Sequence, residues 1–283
     1  MSSFRSIIGL TLFLSLTVST TQAGDRPYSI PCLDRDDQLY RQVVVDQEHG
    51  QYLGHPTTVL LEDGHTILCV YPKGHGKGGI VYKRSVDGGL SWSDRLPVPE
   101  NWATSREVPT LHRVVGPDGK KRIIMFSGLY PCRMAVTDDD GATWSDLMPV
   151  GDWGGISDDE GQTWSKHRDL PASLNGDRHT GKYLSDRRLF ISFRSVQPKG
   201  LTADHQGDWL AWVGTYDDLA EGKEGQYVVR LKDNKKGADC AYPGVEVLPD
   251  DTIVTTTYGH WSVNQMPYIL SIRLKLTELD ALR

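Results

Sequence analysis

The stretch that decides the fold is SVDGGLSW at residues 85–92, because its pattern returns as TDDDGATW at 137–144 and SDDEGQTW at 157–164. The shared pattern is Ser/Thr-x-Asp-x-Gly-x-Ser/Thr-Trp, and a Ser follows each Trp. Repetition of this kind indicates an architecture assembled from copies of one structural unit.

Each copy has the composition of a hairpin turn. The Asp carboxylate is expected to accept hydrogen bonds from nearby backbone N–H groups, and the Gly allows positive φ where the chain reverses. The Trp is expected to fold back against the neighbouring hairpin, with its indole N–H on a carbonyl. The predicted structural residues are Asp87, Trp92, Asp139, Trp144, Asp159 and Trp164. A calcium loop at residues 138–141 is the alternative, but Val136 stands where that loop needs an acid, so no metal is predicted.

Four longer units surround these turns, and each is predicted to be a strand, an Asp/Gly turn and a second strand. They begin at Gly54-His55-Pro56, at residues 106–109, at residues 177–179 and at residues 239–243. Short apolar runs between turn residues indicate a meander of antiparallel strands, and no long amphipathic helix is predicted. Such units bury their faces by stacking radially around an axis, which predicts an all-β propeller.

The spacing of the repeats indicates that one unit is incomplete. Pro56 and Pro109 are 53 residues apart and Asp87 and Asp139 are 52 apart, but Asp139 and Asp159 are separated by only 20. Twenty residues cannot hold the end of one blade and three strands of the next. The third blade is therefore predicted to lack inner strands near Gly154-Gly155-Ile156, through a deletion or through an error in the gene model.

The amino terminus has the pattern of a secretory signal peptide. Arg5 is followed by an apolar run from Ile7 to Val18 and by the small-residue end Thr21-Gln22-Ala23. Residues 1–23 are predicted to be removed, leaving one domain at 24–283 that is secreted or periplasmic, without a membrane span. An uncleaved anchor is the alternative, although the run is short for a bilayer span.

The net charge restricts the possible partners, and the cysteine spacing restricts the possible metal sites. A net charge of −6 disfavours nucleic acid and anionic membranes as partners. Cys32, Cys69, Cys132 and Cys240 are far apart and fit no metal-ligand spacing. One disulfide and four buried thiols both stay open, and no oligomeric state is predicted.

The three octapeptides, the strand–Pro starts of the units and the leader together resemble the sialidases and their Asp-box relatives, over roughly residues 40 to 279. The resemblance implies a six-bladed type of β-propeller with four-stranded antiparallel blades, of which the third is incomplete. It also implies that the N-terminal strand closes the last sheet. Arg41 to Val45 would then pair with Tyr268 to Leu276.

The resemblance also implies a chemistry and a set of site residues. Sialidases hold the substrate carboxylate with three arginines and use a Tyr nucleophile activated by a Glu, with an Asp as acid/base. The first arginine lies in an Arg-Ile-Pro segment, where this chain has Gly54-His55-Pro56. The catalytic candidates are Glu107, Asp239, Tyr242 and Tyr258, and the substrate-binding candidates are His55, Arg106, Arg178, His179, Arg194 and His260.

Each candidate has an alternative interpretation. Arg178 and Arg194 could form interblade salt bridges. Glu107 and Asp239 could cap strand turns, and the tyrosines could be packing residues. The three histidines of the substrate-binding set could instead meet around a metal, although none share a local ligand spacing.

The expected function is therefore that of a secreted glycoside hydrolase of the sialidase type, which removes terminal acidic or other sugars from glycans without a cofactor. A non-catalytic glycan-binding Asp-box propeller is the alternative. A further alternative is a truncated, inactive relative, because a sheet without its inner strands exposes unpaired edges.

Overall fold

The computed structural model of the chain describes residues 28–127, 132–150, 170–196 and 205–282. The predicted signal peptide, the third octapeptide and the Gly154–Ile156 segment lie outside these residues. The strands are β1 (Cys32–Asp34), β2 (Gln42–Asp46), β3 (Thr57–Leu60), β4 (Ile67–Pro72), β5 (Ile80–Ser85), β6 (Thr110–Val115), β7 (Lys121–Ser127), β8 (Arg133–Thr137), β9 (Met148–Pro149), β10 (Gly176–Tyr183), β11 (Leu189–Ser195), β12 (Trp209–Gly214), β13 (Tyr227–Lys232), β14 (Gly244–Val247), β15 (Ile253–Gly259) and β16 (Tyr268–Leu274).

Helices are few and short in the described part of the chain. They are α1 (Tyr216–Glu221), α2 (Leu276–Asp280) and 3-10 turns at Leu39–Arg41, Glu100–Thr104 and Ala172–Leu174. The all-β prediction is therefore confirmed. Among the helices of the described ranges, none is long and apolar enough to span a membrane.

The strands form four sheets, numbered here in chain order. The first is β3-β4-β5, the second β6-β7-β8-β9, the third β1-β13-β12-β11-β10, and the fourth β14-β15-β16-β2. Neighbours are antiparallel, except that β1 runs parallel to β13. In the first sheet the N–H groups of Ser93 and Leu96 donate to the carbonyls of Arg84 and Tyr82, so residues 93–96 follow the outer edge of β5. Four-stranded antiparallel sheets are thus confirmed, while β1 is an addition to the third sheet that the sequence did not predict.

The strands β6, β3, β14 and β10, each the first of the antiparallel meander in its sheet, lie side by side. β6 contacts β3, β3 contacts β14, and β14 contacts β10. The four sheets are thus placed around their first strands, as in a propeller. The number of six blades and the incomplete third blade stay predictions, because the described residues contain four sheets.

The N-terminal strand joins the last sheet, as predicted. β2 pairs antiparallel with β16, with Asp46 opposite Ile269 and Gln42 opposite Ile272. Val45 in β2 and Ile269 in β16 are both buried in one apolar cluster, together with Leu53 and Tyr258. Burial of these side chains fixes the register of the β2–β16 pairing, since a shift by one residue would turn them to the other face of the sheet.

The two octapeptide turns that the structure describes share one set of hydrogen bonds. In the first, Ser91 donates to Asp87 from its backbone N–H (2.9 Å), and Gly89 N–H donates to Ser85 Oγ (2.8 Å). In the second, Thr143 N–H donates to Asp139 (2.9 Å), and Gly141 N–H donates to Thr137 Oγ1 (2.9 Å). Gly89 and Gly141 have φ of 82° and 79°. The predicted carboxylate–backbone bonds and positive φ are both confirmed.

Each of these turns also packs against the next sheet. Tyr82 of the first sheet donates from its hydroxyl to the Gly141 carbonyl (2.9 Å), and Arg84 Nη2 donates to the Asp140 carbonyl (2.6 Å). A Cβ on Gly141 would lie 2.5 Å from the Tyr82 hydroxyl, and one on Gly89 would lie 2.9 Å from Cγ1 of Val254 in the fourth sheet. The glycines are therefore required by close approach as well as by φ.

The indole groups of the two turns differ from the prediction. The Nε1 atoms of Trp92 and Trp144 are buried and reach no hydrogen-bond acceptor in the described residues. Trp144 instead packs edge-on against Trp102 and Tyr82, at centroid distances of 5.5 and 5.9 Å. The predicted indole–carbonyl bond is wrong for both residues, because aromatic and apolar neighbours surround the rings.

The cysteines are all free thiols, so of the two open alternatives the disulfide is excluded. Cys69 and Cys240 are buried, whereas Cys32 and Cys132 are half-buried. The other alternative, four buried thiols, therefore holds for only two of them.

The Asp139→Ala substitution should lower the free energy of unfolding by about 1 kcal/mol, because the N–H and hydroxyl of Thr143 lose their acceptor. Hydrogen bonds from Thr143 lower the pKa of Asp139 to about 2. The difference from the parent protein should therefore persist above the ordinary Asp pKa of about 4 and disappear as the pH falls toward 2. Urea unfolding at several pH values measures it.

The matched control is Asp138→Ala, which removes the neighbouring exposed carboxylate and should change stability by less than about 0.5 kcal/mol. Equal losses in the two variants would contradict a structural role for the Asp139 carboxylate.

Candidate active site

Aromatic and ionisable side chains from several elements meet around Asp239. Asp239 lies just before the innermost strand β14, and Tyr258 lies near the end of β15. Tyr52 and His55 come from the segment before β3, the innermost strand of the neighbouring sheet. Since β3 and β14 are in contact, the starts of these two strands bring the groups together.

The Asp239 carboxylate is the centre of the cluster. Its Oδ1 accepts hydrogen bonds from the hydroxyls of Tyr52 (2.7 Å) and Tyr258 (3.2 Å). Its Oδ2 lies 3.0 Å from His260 Nε2, and His75 Nε2 lies 3.7 Å from Oδ1. The Asp239 side chain is 30% exposed, so this heavily hydrogen-bonded carboxylate still reaches solvent.

These contacts lower the pKa of the carboxyl group and raise the pKa of the phenols. Burial opposes ionisation of Asp239, but hydrogen bonds from Tyr52 and His260 outweigh it, and the pKa of the carboxyl is lowered. Burial raises the pKa of the Tyr52 and Tyr258 hydroxyls, and the charge of Asp239 raises it further. The site at neutral pH therefore holds an ionised carboxylate against neutral phenols, which makes Asp239 a proton acceptor.

His55 is a neutral imidazole in this cluster. Its Nδ1 accepts a hydrogen bond from the Gly76 N–H (3.1 Å), which assigns the ring proton to Nε2, 3.5 Å from the Tyr258 hydroxyl. Burial lowers the pKa of His55 to about 4, with a contribution from nearby His75. His55 can therefore orient Tyr258, but it cannot replace a guanidinium against a substrate carboxylate.

The backbone is strained where the site is built. Four residues here have a positive φ, which residues other than Gly rarely adopt. They are His55 (55°), Arg178 (64°), Ala241 (68°) and Tyr242 (83°). Each such residue costs about 1–3 kcal/mol, and such residues are common at functional sites. The strain at these four positions supports a functional role for the cluster.

A β-bulge directs Arg178 toward the same cluster. The pairing of β10 with β11 shifts register between Asp177 and Thr180. Bulges of this kind re-aim a side chain, and the Arg178 guanidinium lies 4.2 Å from the ring centroid of Tyr242. The Tyr242 ring is in turn 4.4 Å from His55. Arg178 is an exposed cation at the edge of the site.

Another candidate on the third sheet, Arg194, is occupied by structural contacts. Arg194 forms a two-point pair with Asp177, with its Nε 2.8 Å from Oδ1. It also donates to the carbonyls of Ala238 and Cys240, on both sides of Asp239. Asp177 in β10 is opposite Arg194 in β11, so this salt bridge lies within one sheet. It is not the interblade salt bridge given as the alternative for Arg194. Arg194 thus holds the segment that carries Asp239.

The remaining predicted residues lie apart from the Asp239 contacts. His179 stacks on Phe193 at 5.2 Å and approaches the Leu174 carbonyl at 3.1 Å. Glu107 accepts a hydrogen bond from the Val108 N–H (2.8 Å), as in its turn-cap alternative, and Arg106 is exposed. In the described ranges, no hydrogen bond or ion pair joins Glu107 or Arg106 to the cluster around Asp239.

Sequence reasoning missed two residues of the site. Tyr52 lies three residues before His55, outside the repeated strand start, so no repeat identified it. His75 belongs to the glycine-rich loop at residues 73–79 and has a side chain that is 69% exposed. Its ring lies 4.8 Å from His55 and 5.4 Å from Tyr52.

The alternative of a three-histidine metal site is not supported by the geometry, because His179 contacts Phe193 instead of His55 and His260. Among the described residues, no group of three potential His, Cys, Asp or Glu ligands is placed to hold an ion.

A groove of about 990 Å³ opens beside His260. Its lining includes Glu48, His49, Lys235, Lys236 and Gln265. The buried His260 lines this groove and also contacts Asp239.

Comparison with known proteins gives distant structural likenesses. A protein of unknown function from Dyadobacter fermentans is 16% identical, with a TM-score of 0.29 over 77% of this chain and 52% of its own, so this chain spans about half its length. The alpha-L-arabinofuranosidase PaAbf62A from Podospora anserina is 9% identical, with a TM-score of 0.45 over 89% of this chain and 99% of its own. An intramolecular trans-sialidase from Ruminococcus gnavus is 16% identical, with a TM-score of 0.24 over 76% and 41%. No family model and no curated protein matches the chain.

The buried neutral state of His55 predicts a pH-dependent loss of stability. Its folded pKa of about 4 lies below the usual 6.5, so the unfolded chain binds the proton first and stability falls as the pH drops from 6.5 through 4. His55→Asn, which suits the left-handed backbone, should flatten this part of the profile of melting temperature against pH.

The control for this variant is His49→Gln, which changes an exposed histidine and should leave the slope of the profile unaltered. If His55→Asn keeps the parent slope between pH 6.5 and 4, then His55 is not the group that titrates.

Proposed function

We propose that the protein is a glycoside hydrolase of the sialidase type, with Tyr52 and Asp239 as its reacting pair. The observation that carries the proposal is the 2.7 Å hydrogen bond from the Tyr52 hydroxyl to an ionised carboxylate that remains 30% exposed. A tyrosine nucleophile beside a carboxylate base is the arrangement that the sequence resemblance implies. Here the base is an Asp, and the tyrosine is one that the repeats did not identify.

In the proposed step, the Tyr52 oxygen attacks the anomeric carbon while its proton passes to Asp239 Oδ1. The bond from the anomeric carbon to the leaving oxygen breaks, and that oxygen takes a proton from water or from the exposed His75. Water then attacks the anomeric carbon, the bond to the Tyr52 oxygen breaks, Asp239 returns its proton to that oxygen, and the proton lost by water passes to solvent as the sugar is released. Because the pKa of Tyr52 is raised, attack depends on the neighbouring base.

Tyr258 is a positioning residue in this scheme. It donates to the same Asp239 oxygen as Tyr52, but it is only 1% exposed and cannot touch a substrate. His260 and His55 hold Asp239 and Tyr258 in place. Tyr242 therefore remains the tyrosine of the predicted set that a sugar ring can reach, since it is half-buried beneath Arg178.

The terminal sugar is proposed to be acidic, because Arg178 is an exposed cation beside the cluster. Arg194 does not contribute to binding of an acidic sugar, since its guanidinium is paired with Asp177. Around Asp239 the described part of the chain has one arginine without an ion-pair partner, where a sialidase has three, and this implies weak binding of a substrate carboxylate. We also propose that the protein is secreted after residues 1–23 are removed.

Binding of glycans without turnover is the second candidate function. It is favoured by the absence of a second carboxylate in contact with Asp239 among the described residues. The half-buried rings of Tyr52 and Tyr242 still offer aromatic faces of the kind that sugars contact.

The Tyr52→Phe and Asp239→Asn variants should each lower kcat/KM on a fluorogenic sialoside by about 10³-fold or more, because the reacting pair is lost. The matched control is Tyr258→Phe, which removes the other hydroxyl on Asp239 Oδ1 and should cost no more than about tenfold. Steady-state rates over a panel of fluorogenic glycosides provide the comparison.

A 3-fluorosialosyl fluoride should trap the intermediate with loss of the anomeric fluoride, and peptide mass spectrometry should place the adduct on Tyr52. Equal losses in the Tyr52 and Tyr258 variants, or an adduct elsewhere, would overturn the reacting pair. No turnover on any glycoside, together with glycan binding by calorimetry that Tyr242→Ala abolishes, would establish the binding function instead.

A further inference from the structure

A second cluster of reactive side chains lies on the third sheet, outside the Asp239 site. Cys32 is in the edge strand β1, and its Sγ lies 3.6 Å from His205 Nε2. The other ring nitrogen, Nδ1, lies 3.3 Å from Asp208 Oδ2, in an ion-pair contact that does not have aligned hydrogen-bond geometry. A thiol, an imidazole and a carboxylate in this order form a nucleophile, a base and a group that orients the base.

The carboxylate of this cluster is fixed in place. Asp208 accepts hydrogen bonds from Arg230 Nε (2.8 Å) and from the Asn234 N–H (3.0 Å). Its side chain is only 4% exposed, and that of His205 is 14% exposed. Since Asp208 faces Nδ1, the Nε2 of His205 is left to exchange a proton with the thiol.

The charges in the cluster stabilise the imidazolium that forms when His205 takes the proton of the Cys32 thiol. Burial of His205 opposes its protonation, but the contacts with Asp208 and Cys32 outweigh it and raise its pKa to about 9. The other charged group near His205 is the Arg230 guanidinium, which works in the opposite direction. Tyr28 packs beside Cys32, and burial raises the pKa of its hydroxyl, so it is a neutral neighbour.

The remaining cysteines lack this arrangement. Cys69 and Cys240 are completely buried, and burial raises the pKa of both thiols. Cys132 is half-buried like Cys32, but in the described residues no histidine or carboxylate is in contact with it. The chain therefore offers a comparison between two partly accessible thiols, of which, within the described residues, only Cys32 contacts an acid–base partner.

We propose that Cys32, with His205 and Asp208, is a modification site that reacts with low-molecular-weight disulfides to form a mixed disulfide. The thiol proton moves to His205 Nε2, and the thiolate attacks one sulfur of the small disulfide. The new S–S bond forms as the old one breaks, and the leaving thiolate takes the proton from His205. The exchange needs no other oxidant, and it places the added group at the outer edge of β1.

The test treats the folded, full-length protein with hydroxyethyl disulfide at pH 6 and pH 8. Intact-protein mass spectrometry gives the rate, and peptide mapping gives the position. Cys32 should react at least about tenfold faster than Cys132 at pH 6, where an ordinary thiol is mostly protonated. Its rate should rise much less between pH 6 and pH 8 than that of Cys132.

The deciding variants are His205→Gln and a matched His179→Gln on the same sheet. His205→Gln should slow the Cys32 reaction at pH 6 by at least about tenfold and give it the pH dependence of Cys132. His179→Gln should leave both rates unchanged, and Cys32→Ser should remove the fast reaction. Equal rates for the two cysteines, or reaction of Cys32 only after unfolding in urea, would overturn the proposal.

Discussion

The contact between neighbouring sheets depends on the carboxylate inside each of the two octapeptide turns that the structure describes. Asp87 and Asp139 bind the N–H and hydroxyl of the residue four positions later, and this closes the turn in a single shape. Only a turn of this shape can bring Gly141 against Tyr82 and Gly89 against Val254 on the adjoining sheet. The side-by-side placement of β6, β3 and β14, and hence the meeting of site residues from the first and fourth sheets, follows from these contacts.

The repeats carried most of the information about the fold, because their hydrogen bonds are local. The Asp and Gly of each turn act on residues within five positions, so their sequence pattern predicts their geometry. The pairing of β2 with β16 was also predictable, but only through the family resemblance, since no local pattern links residues so far apart. The partner of β1 was not predictable, because a three-residue strand has almost no pattern of its own.

The candidate site was predictable only in part. Asp239, Tyr258 and His260 belong to a recognised unit, and the structure groups them. Glu107 and Arg194 belong to equivalent units, yet their side chains satisfy a neighbouring N–H and Asp177 instead. Strand periodicity places a residue at the end of a blade, but it does not tell which polar partner its side chain will find. Tyr52 and His75 lie in irregular segments whose course is set by tertiary contacts such as the bond from Gly76 to His55.

The pairing of the short strands β1 and β2 also affects the order of folding. β1 hydrogen-bonds to β13 and β2 to β16, so both early strands depend on segments near the other end of the chain. Closing such long loops has a large entropic cost that is recovered only when the last strands form. On the ribosome β1 would wait unpaired until β13 emerges and β2 until β16 emerges, so the docking of both strands would be a late and slow event of maturation.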